Sequence, residues 1–271
     1  MDQCRTAKTP ARTNQQIKSK RSKQEEGESN EDEISEPKLI DRHQYLQIVG
    51  SLLYLATFTR PDISFAVGRA GQLCMEPTQE DYEDAIRIIR YLQGTKEKKL
   101  KFSRNGSLEL VGFSDSDWGG NLVDRHSTSG YIFTLGGAAI AWASRKQQSV
   151  ALSATEAEYI ASSAAAQEAI YLQNLLNEIG IVQKKPTIIF QDNKGSIAMA
   201  RNFMTTQRSK HIEIRYHFIR ECIEKEMINV EYLSTQDQLA DIFTKAIGRN
   251  VLDHHIRYVM GDEPFSLMPL H

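Results

Sequence analysis

Residues 187–201 have the sequence Thr-Ile-Ile-Phe-Gln-Asp-Asn-Lys-Gly-Ser-Ile-Ala-Met-Ala-Arg. The apolar run from Thr187 to Gln191 predicts a short buried strand, and Gly195 to Arg201 predicts a short helix. A strand that leads directly into a helix is the repeating unit of α/β domains. The residue between them, Asp192, therefore lies beyond the carboxyl end of a strand, where α/β sheets collect their ligands.

The residues on both sides of this stretch continue the pattern. The predicted elements before it are three strands and one long helix: Leu108 to Ser114, Gly130 to Leu135, Ala138 to Ala143 and Ser153 to Ile179. The predicted elements after it are a helix, a strand and a final helix: Lys210 to Met227, Ile228 to Leu233 and Gln236 to Ile247. This order predicts an α/β domain over residues 106–250, built on a mixed sheet that is flanked by helices.

Three further segments are expected outside that domain. Residues 1–40 are rich in charged and polar side chains, and they bury too little apolar surface to order a chain, which predicts a disordered tail or linker. Residues 41–105 carry apolar side chains every three or four positions and predict a small helical module, in which Thr78 caps a helix. Residues 251–271 are predicted to be an irregular C-terminal tail.

Composition excludes several classes of protein. The 271 residues are 40% hydrophobic and 25% charged, so a sizeable core can form. With 33 basic and 35 acidic residues the net charge is −2, so the chain is not a polycationic nucleic-acid coat. The cysteines Cys4, Cys74 and Cys222 are far apart, which argues against a disulfide framework and a zinc knuckle. The sequence contains neither an apolar run of membrane-spanning length nor a signal-peptide pattern, and we expect an intracellular protein without membrane contact.

Four acidic residues stand at positions that favour a common site. Asp115 follows the first predicted strand, as Asp192 follows a later one. Glu158 lies near the start of the long helix on the stripe that faces the sheet, where an ionised carboxylate is costly. Asp241 flanks the apolar stripe of the final predicted helix. Taken singly, each has an ordinary explanation as a turn residue, a helix cap or a solvated charge.

If these carboxylates converge, they need cations. Two unit charges about 4 Å apart cost about 4 kcal/mol at an effective dielectric constant of 20. Oxygen ligands without a histidine or cysteine partner select Mg²⁺ or Mn²⁺ over zinc, and paired ions of this kind cleave phosphodiesters. Asp117 is an alternative to Asp115, because side chains two residues apart in a strand point to the same face.

The order of the motifs resembles that of the RNase H domain in Pol polyproteins of copia-type retrotransposons. The matching segments are Phe113 to Gly120, Asp124 to Phe133, Trp142 to Gln147, Ala151 to Ala161, Gln191 to Asn193, Lys210 to Glu221 and Leu239 to Lys245. The helical module, in Gln47 to Ala56 and Thr59 to Val67, is similar to the segment that connects polymerase to RNase H in that family. The resemblance covers about residues 1–250.

The resemblance implies an RNase H-like fold and a nuclease that cuts the RNA strand of RNA/DNA hybrids with two Mg²⁺ ions, or Mn²⁺ in their place. Its catalytic and metal-binding residues would be Asp115, Glu158, Asp192 and Asp241. Substrate contacts are expected from Arg125, Ser127, Asn193, Lys210, His211 and Arg215. One departure is that the loop Leu233 to Gln238 has no histidine, whereas cellular enzymes of this fold have one before the last aspartate.

The resemblance also implies partners and a location. The chain has no Tyr-x-Asp-Asp polymerase signature, so we expect it to work with an upstream reverse transcriptase domain of the parent polyprotein. The element's life cycle implies the cytoplasm or the nucleus. Two alternatives stay open: an inactive or co-opted fragment that binds nucleic acid without cutting it, and a DNA transposase or integrase on the same fold, which would cut DNA ends.

Overall fold

The computed structural model describes residues 6–12, 41–121, 124–201 and 210–265, with the backbone alone for residues 210–216. Within these ranges five strands form one mixed sheet in the order β3-β2-β1-β4-β5. The strands are β1 (Val111–Asp117), β2 (Thr128–Leu135), β3 (Ala138–Lys146), β4 (Thr187–Gln191) and β5 (Ile228–Tyr232). The pairs β1–β2 and β2–β3 are antiparallel, whereas the pairs β1–β4 and β4–β5 are parallel. The predicted α/β class with a mixed sheet flanked by helices is confirmed.

Helices cover both faces of the sheet. The helices are α1 (Arg42–Phe58), α2 (Ser64–Gln72), α3 (Gln79–Gly94), α4 (Ala154–Glu178), α5 (Lys194–Arg201), α6 (Lys210–Glu224) and α7 (Arg249–Val259), with 3₁₀ helices at Pro61–Ile63 and Leu239–Phe243. None of the helices in the described ranges combines the length and the apolar composition that crossing a bilayer requires.

The two faces of the sheet have separate cores because side chains alternate along each strand. Phe133 and Ile189 face one side, where they pack with residues of α4, α5 and α6. Phe113, Ile132 and Phe190 face the other side, against the module formed by α1, α2 and α3, the second 3₁₀ helix and α7. The helical module therefore completes the core of the α/β domain instead of standing apart from it.

The parallel register between β1 and β4 places acidic residues side by side. Phe113 is the Cα partner of Phe190, so Asp115 and Asp192, each two residues further on, lie at the same level. Strand β1 continues to Asp117 because its other neighbour, β2, pairs with it along that whole length. The first strand therefore lies three residues later than the predicted range of Leu108 to Ser114, and Asp115 and Asp117 are part of the β1–β2 ladder.

The final helix predicted from Gln236 to Ile247 is wrong. Only Leu239–Phe243 is helical there, as a short 3₁₀ helix. The buried Gln238 side chain accepts a hydrogen bond from the backbone N–H of Ala240, and its Nε2 donates to the carbonyl oxygens of Ser114 and Phe190 at 3.1 and 3.3 Å. These bonds to two neighbouring strands tie the start of the segment to the sheet, which the local apolar pattern does not reveal.

Two predictions about the ends of the chain also need correction. The predicted irregular tail of 251–271 contains most of α7, whose buried Leu252, Ile256 and Val259 join the core. Residues 6–12 of the predicted disordered tail pack on α3, where the side chain of Arg87 donates to the hydroxyl of the buried Thr9 at 2.9 Å. Residues 1–5, 13–40 and 266–271 lie outside the described ranges, and the boundaries between the predicted segments stay predictions.

Candidate metal centre

Three carboxylates meet at the ends of the parallel strands. Asp115 lies in β1, Asp192 directly follows β4, and Glu158 lies in the second turn of α4. One oxygen from each of the three residues lies within 4.8 Å of the others. Asp115 is 2% and Glu158 is 6% exposed, so two of these groups are removed from water. This arrangement can hold a divalent cation with oxygen ligands alone.

Asp241 stands beside this trio and is joined to it through Asp115. It lies in the second 3₁₀ helix and is buried, with 5% of its surface exposed. The ammonium Nζ of Lys245 is 2.9 Å from Oδ1 of Asp241 and 3.8 Å from Oδ2 of Asp115. The four predicted carboxylates therefore form two groups that share Asp115. The trio consists of Asp115, Glu158 and Asp192, and the pair consists of Asp115 and Asp241.

A glycine allows the 3₁₀ helix to approach β1 this closely. Gly130 in β2 is the Cα partner of Asp115. A Cβ at Gly130 would lie 2.7 Å from the Cβ of Phe243 and 2.8 Å from Cγ2 of Thr244. The absence of a side chain at this position thus leaves room for the segment that carries Asp241.

The surroundings of Glu158 disfavour an ionised carboxylate. Burial, and then the charges of Asp115 and Asp192, raise the pKa of the Glu158 carboxyl well above its usual value. Its Oε1 accepts one backbone N–H, from Ser116 at 3.3 Å. Its Oε2 is buried and has no hydrogen-bond partner among the described residues. A buried acceptor of this kind fits the requirement for a bound cation.

Asp241 has a similar environment. Burial and the nearby Asp115 raise the pKa of its carboxyl to about 7, although Lys245 acts in the opposite direction. In both Glu158 and Asp241, burial beside other carboxylates therefore raises the pKa of the carboxyl.

Hydroxyl groups orient two of the carboxylates. Thr244 donates a hydrogen bond through Oγ1 to Oδ2 of Asp115. Thr235 donates through Oγ1 to Oδ2 of Asp192 at 2.7 Å. The sequence reasoning missed the two threonines and Lys245 as members of the site. The available signal was the spacing of Lys245, which is four residues after Asp241 and can therefore reach it.

Asp117, the alternative to Asp115, is not part of the trio. It lines a cavity of about 150 Å³ at the end of β1, between the sheet and α2. Burial raises the pKa of its carboxyl, and the charge of Lys245 opposes that effect. The geometry thus favours Asp115 over Asp117 as the strand residue of the metal centre.

The predicted substrate-binding residues lie in different environments. Arg125 is exposed and has a left-handed backbone, with φ of 58°. Ser127 is fully buried and accepts a hydrogen bond from the N–H of Gly119 at 3.1 Å, and its contact with a substrate stays a prediction. Asn193, not Asp192, accepts the Ser196 N–H at the start of α5. The side chains of Lys210, His211 and Arg215 lie outside the described part of the chain.

The sequence of the chain is similar to transposon polyproteins. It is 43% identical over 217 residues to the "Retrovirus-related Pol polyprotein from transposon RE1" of Arabidopsis thaliana, a match that covers 80% of this chain and 15% of the polyprotein. The chain is homologous to Pol polyproteins of copia-type retrotransposons. The match confirms the resemblance that the motifs indicated. The chain spans about 15% of the length of this Pol relative.

Other comparisons give shorter or weaker matches. The "Secreted RxLR effector protein 161" of Plasmopara viticola is 48% identical over 128 residues, which make up 47% of this chain and 90% of that protein. Among solved structures, LC11-RNase H1, isolated from compost by a metagenomic approach, is 13% identical with a TM-score of 0.40, and the match covers 54% of this chain and 97% of that one. No protein-family model matches the chain.

Proposed function

We propose that this chain is the ribonuclease H segment of a copia-type Pol polyprotein, which hydrolyses the RNA strand of RNA/DNA hybrids during reverse transcription. The observation that carries the proposal is the convergence of Asp115, Glu158 and Asp192, with Asp241 beside Asp115. Homology to the Pol polyprotein of transposon RE1 also supports it.

The residues present fit divalent cations. Asp115, Glu158 and Asp192 would hold one ion, and Asp115 with Asp241 would hold another, with Mg²⁺ or Mn²⁺ as the ions that suit carboxylate ligands. When bound, such ions supply the positive charge that activates an attacking water and stabilises the leaving 3′ oxygen.

The remaining residues of the centre would hold the carboxylates in place. Thr244 and Thr235 fix the orientation of Asp115 and Asp192 through hydrogen bonds, so the ligand oxygens need little rearrangement. Discrimination of RNA from DNA would come from contacts with ribose 2′-hydroxyl groups next to the scissile phosphate. Arg125 and Asn193, and the Lys210, His211 and Arg215 side chains, are the proposed contacts with the hybrid.

The partner of this activity would be a reverse transcriptase domain on the same polyprotein. This chain spans 15% of the RE1 relative, so the polymerase would lie in a part of the polyprotein that the match does not include. We place the activity inside the cell, in the cytoplasm or the nucleus, where reverse transcription of a retrotransposon takes place.

One comparison favours an alternative, a co-opted fragment that binds nucleic acid without cutting it. In the effector-named relative, the matched 128 residues make up 90% of the protein, so that protein has little room for a polymerase. The intact set of carboxylates at Asp115, Glu158, Asp192 and Asp241 favours the nuclease, because a binding module gains nothing from a costly buried Glu158.

Cleavage of labelled substrates separates these functions. The whole chain is incubated with an RNA/DNA hybrid labelled on the RNA strand, with Mg²⁺ or with EDTA, beside Asp115→Asn and Asp192→Asn. Asp253→Asn, which alters an exposed ion pair with Arg249 on α7, is the matched control. The nuclease is supported if RNA is cut in a metal-dependent way, if the cutting rate falls at least 100-fold in Asp115→Asn and Asp192→Asn, and if it is unchanged in Asp253→Asn. Binding of the hybrid without cutting favours the co-opted fragment, and cutting of duplex DNA favours a transposase or integrase.

A further inference from the structure

Lys245 forms ion pairs with two carboxylates of the proposed metal centre, those of Asp115 and Asp241. Its backbone N–H donates to the carbonyl oxygen of Asp241 at 3.2 Å, which holds the residue one turn after that aspartate. Its Nζ then lies 2.9 Å from Oδ1 of Asp241 and 3.8 Å from Oδ2 of Asp115. The ammonium group therefore bridges the carboxylates of Asp115 and Asp241.

The charges explain why an ammonium group is stable at this position. Two carboxylates about 4 Å apart repel each other by about 4 kcal/mol at an effective dielectric constant of 20, and a cation between them removes that cost. The carboxylates of Asp115 and Asp241, 3.8 and 2.9 Å from Nζ of Lys245, supply the negative charge that stabilises the ammonium group there. The side chain is still 38% exposed, so part of it is in contact with solvent.

We propose that the Lys245 ammonium is a built-in cation at the Asp115–Asp241 side of the centre, so that the free protein binds one divalent ion at the trio, and a second ion binds only when Lys245 withdraws. This inference rests on the proposed function, in which both sides of the centre hold an ion during cleavage. Lys245 is then a positioning residue: a second ion can bind at the Asp115–Asp241 side only after the ammonium group has left it.

The structure offers a place into which Lys245 can withdraw. The side chain lines the cavity of about 150 Å³ whose other lining residues include Asp117, Asn121 and Thr128. The Asp117 carboxylate lines the same cavity as Lys245, so it offers a second acceptor for the ammonium group. Withdrawal therefore exchanges one carboxylate partner for another and does not leave a buried charge unpaired.

Counting bound ions tests this inference without any measurement of cleavage. The whole chain without nucleic acid is titrated with Mn²⁺, and free Mn²⁺ is followed by electron paramagnetic resonance. The variants are Lys245→Met, Lys245→Gln and Lys245→Arg. Lys225→Met is the matched control, because it removes an exposed ion pair with Glu221 four residues away. Thermal melts show which variants are folded, and Lys245→Gln keeps the test valid if Lys245→Met does not fold.

We expect one ion per chain in the wild type, in Lys245→Arg and in Lys225→Met. In Lys245→Met and Lys245→Gln we expect a second ion, with an affinity at least tenfold higher than any second binding event in the wild type. Identical titrations for the wild type and the two neutral variants would overturn the inference, as would two equal sites in the wild type. A protein that shows the expected stoichiometry but cuts no hybrid would keep the inference and refute the proposed nuclease.

Discussion

Gly130 in β2 and Phe243 in the second 3₁₀ helix are in such close contact that a Cβ on the glycine would lie 2.7 Å from the Cβ of the phenylalanine. The carbonyl oxygen of Ala240 would be 3.1 Å from the same added atom. Because Gly130 is paired with Asp115 across the β1–β2 ladder, this contact brings the segment that carries Asp241 next to Asp115. A close approach of two backbone segments thus determines the shape of the proposed metal centre.

Gly130→Ala should therefore weaken both the fold and the centre. The added methyl group pushes the 3₁₀ helix outward, and overpacking of this kind costs about 1–3 kcal/mol. Urea denaturation measures the stability and Mn²⁺ titration measures the site. Gly50→Ala is the control, since Gly50 lies in the interior of α1 with no atom within 4 Å of an added Cβ. The control should be unchanged or more stable by up to about 1 kcal/mol. A Gly130→Ala variant as stable as the wild type would contradict the close contact.

Asp241→Asn should stabilise the metal-free protein at high pH. The pKa of Asp241 is raised to about 7 in the folded protein from 3.8, so between about pH 4 and pH 7 the folded state binds more protons than the unfolded state. Its contribution therefore lowers stability as the pH rises through that window. At pH 8 in EDTA the variant should gain at least about 1.4 kcal/mol, the equivalent of one pKa unit, and at pH 4 it should gain little. Thermal melts from pH 4 to 8.5 measure the difference, and a gain that shrinks with rising pH would refute the account.

Divalent ions should stabilise the wild type more at pH 8 than at pH 5. Burial and the charges of Asp115 and Asp192 raise the pKa of Glu158, so at the lower pH protons compete with the metal for this carboxyl. An ion present at about 100 times its dissociation constant stabilises a protein by about 2.7 kcal/mol. Glu158→Gln should lose most of this gain, whereas Glu178→Gln at the far end of α4 should keep it. Equal Mn²⁺ stabilisation of the wild type and Glu158→Gln would remove Glu158 from the site.

Arg60→Met should destabilise the chain far more than loss of a surface ion pair. Arg60 donates two hydrogen bonds to Asp62, at 2.9 and 2.7 Å, and Tyr91 donates to the same carboxylate at 2.8 Å. Removal of the guanidinium leaves a buried carboxylate without its charge partner, which typically costs about 3–5 kcal/mol. Lys185→Met, which removes an exposed pair with Glu109, should cost at most about 1 kcal/mol. Chemical denaturation compares them, and similar losses would contradict the buried network.

The sequence predicted the elements that have a strong local signal. The strand at Thr187–Gln191 has the same bounds in the structure, because its apolar run is short and ends at a polar residue. The N-cap at Thr78 is formed as predicted, and Asp81 completes a capping box with it, because this motif depends only on residues three positions apart. Local periodicity and capping therefore carry most of the secondary structure.

Features that depend on contacts between distant segments could not be predicted. The 3₁₀ helix at Leu239–Phe243 depends on bonds from Gln238 to two strands more than 40 residues away. Lys245 looks like an ordinary helix charge until the sheet brings Asp115 next to Asp241. Ser127, expected at the substrate, is fully buried, and its hydroxyl accepts a hydrogen bond from the N–H of Gly119, eight residues earlier in the chain. The positions of the four carboxylates along the chain were predictable, whereas their division into a trio and a pair was not.

The most direct test of the metal centre is the position of bound Mn²⁺, measured by anomalous X-ray scattering from crystals of the whole chain grown with that ion. We expect a peak within about 2.5 Å of carboxylate oxygens from Asp115, Glu158 and Asp192 together. A structure with ordered Mn²⁺ elsewhere and none among these three residues would contradict the central claim.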